Sequence, residues 1–197
     1  MSNEKYNETK SFAEMTEWLQ TPLGENLMQT ELSLLENMIN RRFGYHLLQL
    51  SCADINVYED SPIGHKFSLT PSTKVKNGSL VAQAEAIPLA GESVDMVVLH
   101  HALDYSDDPH QLLREADRVL IAGGHLLIIG FNPFSTWGAR HKFSRSAGKS
   151  PWQSNLLSSM RLSDWLKLLD FKIEQVHYGL YSLPINSSKL IRYSSFM

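Results

Sequence analysis

The sequence predicts an α/β fold: a mostly parallel, twisted sheet with helices on both faces and extra helices added at the N-terminus. Three observations predict it. Two short runs rich in Val, Ile and Leu, at 94–99 and 125–130, suit strands buried on both faces. Between them Leu112, Leu113, Ala116, Val119 and Leu120 recur at helical spacing and give one apolar face. Strand, helix and strand at this spacing make a right-handed crossover between parallel neighbours.

In chain order, residues 1–10 read as disordered. Residues 11–20 predict a short helix docking Phe12, Met15, Trp18 and Leu19. Thr21-Pro22 starts a second helix, because a Thr N-cap followed by Pro at the first helical position loses no hydrogen bond. Its apolar face is Leu27, Met28, Leu32, Leu35, Met38 and Ile39, and Gly44 is its predicted stop. Residues 45–50 read as the first strand, 66–69 as the second and 80–84 as the third. The connection 51–64 leaves room for at most a very short helix. Pro71 to Gly78 reads as a turn ending in Asn77-Gly78. The first half of the sheet is thus expected to lack long helices. Asp108-Pro109 repeats the cap-and-proline start for the central helix, and Gly123-Gly124 is its predicted stop.

Downstream, 135–142 predicts a short helix capped by Ser135, and 152–160 another. Ser163 is read as the cap of a further helix with Trp165, Leu166, Leu168 and Leu169 inward. Residues 171–177 alternate and read as a strand. Arg140, His141, Lys142, Arg145 and Lys149 form a basic stretch, read either as a solvated loop or as a contact surface for an anion. Residues 182–197 have no clear period.

The 197 residues suit a helical segment, 1–44, packing on one domain, 45–197, large enough to bury a core. The formal net charge of −3 and a pI near 6.2 give no global attraction to nucleic acid or membrane. Residues 1–40 carry seven acidic and two basic side chains, whereas 139–197 carry nine basic and three acidic. The single cysteine, Cys52, excludes an internal disulfide and reads as a small buried apolar residue. The polar, acidic start is not a signal peptide, and no apolar run approaches the ~20 residues of a membrane span. The expected location is therefore cytoplasmic. No HxxxH or clustered cysteine pattern marks a metal site, and GxGxxG is absent.

Four groups of residues then carry a family resemblance: Ile87-Pro88-Leu89, Val94 to Val98, Arg114-Glu115 with Arg118-Val119-Leu120, and Gly123-Gly124. In order and spacing they resemble the "LPF…FDLVV…EhxRVLkpGG" core of type-11 class I S-adenosylmethionine-dependent methyltransferases. FGYHLLQL from Phe43 and GFNPFSTWG from Gly130 resemble a narrower bacterial branch with a GFNPxSxWG loop. The resemblance implies a Rossmann-like class I methyltransferase fold, S-adenosyl-L-methionine as cofactor and a small-molecule methyl acceptor. It also implies an antiparallel edge hairpin, which this chain supplies incompletely unless 190–196 provides the second strand.

The family binds the methionine moiety on a glycine-rich loop after the first strand, since glycine lets backbone N–H groups come close to a ligand. That place here reads Leu50-Ser51-Cys52-Ala53-Asp54, without glycine. The resemblance assigns cofactor contacts to Leu50, Ser51, Ala53, Ala84 and His100, ribose contacts to Ser68, and the adenine contact to Gln83. Glu85 is a further candidate for the adenine. His101 and Asp104, after the fourth strand, are the candidate catalytic bases. Tyr105, Asn132 and Phe134 are expected to line the acceptor pocket. Asp95, Arg114, Glu115 and Arg118 read as structural. Two functions follow: a cytoplasmic methyltransferase, or a catalytically inactive methyltransferase-like binding module with a degraded cofactor loop.

Overall fold

The structure is a computed structural model, and it describes residues 2–71, 80–138 and 154–179. Five strands form one sheet: β1 (His46–Ser51), β2 (His65–Thr70), β3 (Leu80–Val81), β4 (Val94–His100) and β5 (Leu120–Ile129). Their order is β3-β2-β1-β4-β5, and every neighbouring pair is parallel. The helices are α1 (Ser2–Leu19), α2 (Pro22–Ile39), α3 (Ala102–Tyr105), α4 (Pro109–Val119) and α5 (Ser159–Leu168).

The predicted starts of α2 and α4 have their expected caps. Thr21 Oγ1 accepts from the Gly24 N–H at 3.2 Å, and Asp108 Oδ1 accepts from the Gln111 N–H at 3.0 Å. The predicted apolar face of α4 is buried entire, from Leu112 to Leu120. Together with α5 it covers one face of the sheet, where Leu48, Leu50, Phe67, Leu69, Val97 and Leu99 point. Fully burying each such Leu contributes roughly 1.5–3 kcal/mol.

The other face is covered in a different way. No helix lies between β1 and β2 or between β3 and β4 among the described residues. Leu35 and Ile39 of α2 take that place, packing with Val57, Tyr58 and Ile63 onto Leu47, Met96 and Val98. An N-terminal helix thus substitutes for the missing crossover helix. The α1–α2 turn is tight, since a Cβ on Gly24 would stand 2.4 Å from the Trp18 carbonyl oxygen.

Several expectations need correction. Residues 2–10 belong to α1 rather than to a disordered start. Helix α2 ends at Ile39, well before Gly44, and Leu32 is 40 % exposed. Helix α4 ends at Val119, so Gly123-Gly124 does not stop it. Instead Gly123, at φ 78°, sits in an excursion of β5 where the register shifts between Val94 and Met96. Strand β3 is only two residues long. Residues 154–158 are not helical, and one helix, α5, is capped by Ser158; Ser163 lies inside it and bonds the Ser159 carbonyl. Leu168 points outward at 82 % exposure. Residues 171–177 form no strand; Glu174 there is held by Arg42 instead. Thr136 to Gly138 are helical, with Ser135 Oγ accepting from the Gly138 N–H, as the predicted cap requires. The basic stretch Arg140 to Lys149, the predicted turn from Pro71 to Gly78 past its first residue, and the segment 190–196 lie outside the described residues.

Candidate active site

The C-terminal ends of β1 and β4 lie side by side, with Ser51 opposite His100. In parallel sheets ligands bind beyond such ends. Two different environments meet there.

Beyond β1 the environment is apolar. Cys52 and Ala53 are 6 % and 2 % exposed and pack with Met15, Leu19, Leu23 and Leu27 of the α1–α2 hairpin, and with Phe131 and Trp137. Trp18 meets Trp137 edge to face at 6.0 Å. Every backbone N–H of this turn has an internal acceptor. Cys52 bonds the His100 carbonyl at 3.1 Å, Ala53 the Ser51 hydroxyl at 3.2 Å, Asp54 the Thr16 hydroxyl at 2.9 Å and Ile55 the Ala53 carbonyl at 2.9 Å. Burial pushes the Cys52 thiol well up, and the carboxylates of Asp104 and Glu31 add to it.

Beyond β4 the environment is polar and buried. His100 and His101 are both fully buried, and Asp104 is nearly so. His101 takes a left-handed conformation, φ 51°, uncommon for a side chain with a Cβ. The turn places its ring between two carboxylates. Its Nδ1 lies 2.8 Å from Asp104 Oδ2, and its Nε2 lies 2.9 Å from Glu31 Oε1. The His100 Nε2 lies 3.0 Å from Glu31 Oε2, and its Nδ1 lies 3.1 Å from Ser51 Oγ. Asp104 Oδ2 also accepts from the Phe131 N–H at 3.0 Å, and the Phe131 ring lies against His101 at 4.2 Å.

This network assigns the protons. Ser51 accepts from Ala53 and donates its hydroxyl proton to His100 Nδ1. His100 then donates from Nε2 to Glu31 as a neutral imidazole, and burial does lower its proton affinity. His101 donates from both nitrogens. Burial opposes its charge, but Glu31 and Asp104 outweigh burial and raise it to about 10. Burial likewise pushes Glu31 up, yet the His101 charge and the two imidazole hydrogen bonds hold it at about 2. Asp104 is raised by burial, against the pull of His101.

The candidate bases therefore do not meet solvent directly. A groove of about 2060 Å³ runs along β5, and Glu31, Asn132, Phe134 and Trp137 line it, whereas His100, His101 and Asp104 do not. Of the expected acceptor residues, Asn132 and Phe134 stand on that groove, with Phe134 87 % exposed. Tyr105 instead donates to Met15 Sδ at 3.4 Å, under the hairpin. Leu50 is buried inside the sheet and Ser51 ends β1. Ser68 lies inside β2 opposite Gln49, is 3 % exposed and hydrogen-bonds Tyr58, so it does not face a ribose. Gln83 is exposed after β3, and Ala84 packs on the core. Glu85 accepts a hydrogen bond from the Ser106 hydroxyl.

Glu31 is the residue that sequence reasoning missed. It stands between Leu27 and Leu35 at helical spacing, a charge within an apolar stripe. That interruption was the available signal. The most recognisable motif residues, by contrast, are structural as expected. Arg118 donates to the Ile87 and Leu89 carbonyls, both at 2.9 Å, and Glu115 accepts from the Ile87 N–H at 2.9 Å. Asp95 accepts from the Tyr45 and His46 N–H groups at the far end of the sheet.

The parallel five-stranded order and the added helices define a class I methyltransferase fold. A family model for a methyltransferase domain matches residues 43–128, from just before β1 almost to the end of β5. The uncharacterized protein YafS of Escherichia coli is 36 % identical over 158 residues, 79 % of this chain and 65 % of that protein. A malonyl-[acyl-carrier protein] O-methyltransferase of Coxiella burnetii is 32 % identical over 147 residues, 72 % of this chain and 50 % of that enzyme. The chain thus spans less than two thirds of the length of these relatives. Among solved structures, a SAM-dependent methyltransferase of Thermotoga maritima superposes with TM-score 0.61 at 21 % identity, covering 74 % of this chain and 71 % of that one. The fold alone does not set the reaction, since the [4+2]-cyclase SpnF superposes with TM-score 0.51 at 18 % identity, covering 69 % of this chain and 55 % of that one.

The family implies S-adenosyl-L-methionine. In this conformation the turn after β1 does not fit it, because its N–H groups are all bonded internally and the hairpin covers it. No described helix is long and apolar enough to cross a membrane.

Proposed function

We propose that the chain is a S-adenosyl-L-methionine-dependent methyltransferase acting on a small-molecule acceptor, held here with the α1–α2 hairpin closed over the cofactor turn. The observation that carries this reading is the family match running through the β1–β5 core. The apolar contact that α1 and the first turns of α2 make with the cofactor turn supports the closed state as one that can open there, while the Glu31–His101 ion pair further along α2 holds. Met15, Leu19, Leu23 and Leu27 meet Cys52 and Ala53 without an ion pair, and only the Thr16–Asp54 hydrogen bond ties the backbone of the turn to α1 among the contacts described above.

On this reading the acceptor lies in the groove by Asn132 and Phe134. His101 and Asp104 act behind Glu31, fixing its carboxylate rather than touching the acceptor. The matched malonyl-[acyl-carrier protein] O-methyltransferases make a carboxylic acid the first acceptor class to screen. A carboxylate is already deprotonated at neutral pH, so it needs no protein base. That suits candidate bases that are buried. A cytoplasmic setting belongs to the same reading.

The test is calorimetric titration of the full chain with S-adenosylmethionine and S-adenosylhomocysteine. Micromolar binding is expected, weakened by a bulky substitution at Ser51 or Ala53. Absence of heat at millimolar ligand, from protein that is folded by circular dichroism, contradicts cofactor-dependent transfer and leaves a binding module in its place.

A further inference from the structure

We propose that Glu31, His100 and His101 form a binding site for a divalent transition-metal ion, zinc in the first instance. Asp104 and Ser51 serve as the outer partners of the two imidazoles. This inference stands independently of the methyl-transfer reading.

The three side chains come from two elements far apart in sequence, α2 and the end of β4, yet their ligand atoms all lie within 4.8 Å of one another. A tetrahedral zinc ion with bonds of about 2.0–2.1 Å sets neighbouring ligand atoms about 3.3 Å apart. The Glu31 oxygens stand 3.0 Å and 2.9 Å from the two Nε2 atoms, bridged by protons, so the carboxylate has to swing aside by about 1 Å for an ion to take the protons' place. Two imidazoles and one carboxylate are a donor set for zinc, iron, cobalt or nickel rather than for magnesium or calcium.

The second observation concerns the other ring nitrogens. Metal-bound imidazoles carry a partner on the nitrogen away from the metal, which fixes the ring. Both rings have one here: Asp104 Oδ2 on His101 Nδ1 at 2.8 Å, and Ser51 Oγ on His100 Nδ1 at 3.1 Å. The two Nε2 atoms are left converging on one carboxylate. Glu31 lines the β5 groove while both histidines are buried, so an ion would reach the cluster from the groove, and an open fourth position would face that way. Three protein ligands and one open position is the arrangement of a zinc ion that binds water or substrate.

The protons balance. Without metal, His101 carries a proton on each nitrogen and His100 carries one on Nε2. On binding, His101 releases its Nε2 proton and keeps Nδ1–H toward Asp104. His100 moves its proton from Nε2 to Nδ1, toward Ser51, whose hydroxyl turns to accept it. One proton leaves to solvent for each ion bound.

The test uses the full chain, stripped with chelator and titrated with zinc chloride by calorimetry and with cobalt chloride by visible absorption. One ion per chain is expected, with the intense d–d bands of tetrahedral cobalt. Glu31→Gln should abolish those bands, and Asp104→Asn should weaken zinc binding about 10–100-fold. Ser51→Ala should weaken it too and serves if the other variants fold poorly. The exposed pair His46 and His65, whose Nδ1 atoms lie 2.9 Å apart, is the control. Loss of binding in His46→Ala with binding intact in Ser51→Ala and Glu31→Gln would overturn the proposal. So would the absence of binding by folded wild-type chain, which would leave a cluster held by protons alone.

Discussion

The β4–α4–β5 unit and the end of β1 solve opposite problems. The first is closed by its own sequence. Asp108 caps α4, the stripe Leu112–Val119 covers the adjoining strands, and Arg118 and Glu115 tie down the chain at Ile87–Leu89. The second is closed by a distant segment. No helix follows β1, so α2 covers the sheet face, the α1–α2 turn covers the strand end, and Glu31 enters the polar cluster from outside the core. A region that relies on a docked hairpin can open without unfolding the sheet, whereas the self-contained unit cannot.

The largest effect is expected at the junction of the two regions. Glu31→Ala leaves the buried His101 charge with one carboxylate fewer and takes the acceptor from His100. It should cost about 3–5 kcal/mol in urea unfolding. A loss below about 1 kcal/mol would mean that the cluster is wetter than its burial implies.

Next come paired truncations, one in each region. Leu113→Ala and Met15→Ala, both at fully buried sites, should each cost about 2–5 kcal/mol. Their effects on ligand should differ. Met15→Ala loosens the hairpin and should tighten S-adenosylhomocysteine binding, while Leu113→Ala should leave it unchanged. Equal effects in calorimetry would erase the distinction between the regions.

Smaller effects are expected at the fastenings. Arg118→Ala loses its hydrogen bonds to Leu89 and Ile87, but the guanidinium is 40 % exposed, so a cost of about 1 kcal/mol is expected by thermal melting. Thr21→Ala and Asp108→Ala remove the caps of α2 and α4 and should each cost about 1 kcal/mol. Proteolysis should separate them, with Thr21→Ala speeding cleavage within α1–α2 and Asp108→Ala leaving it unchanged.

What the sequence made legible follows the same division. In the β4–α4–β5 unit, cap, stripe and strands lie within one stretch, so local rules sufficed. Even there Gly123-Gly124 misled, because the excursion of β5 opposite Asp95 uses the glycines after the helix has already ended. At the β1 end, the bare connection was legible, but its substitute was not, since nothing local says which face a distant helix covers. His101 and Asp104 were legible as a pair at a strand end. Their burial behind Glu31 was not, because it depends on where α2 docks. Ser68 was placed by alignment to a family position, and the pleat of β2 turns it inward instead.

Amide hydrogen exchange with and without S-adenosylhomocysteine tests the central contrast most directly. The account predicts that ligand speeds exchange in α1 and the first turns of α2, as the hairpin lifts from Cys52 and Ala53, while β4, α4 and β5 keep their protection. Ligand that binds with the hairpin equally or better protected would contradict it, and so would a hairpin and a β4–α4–β5 unit that loosen together.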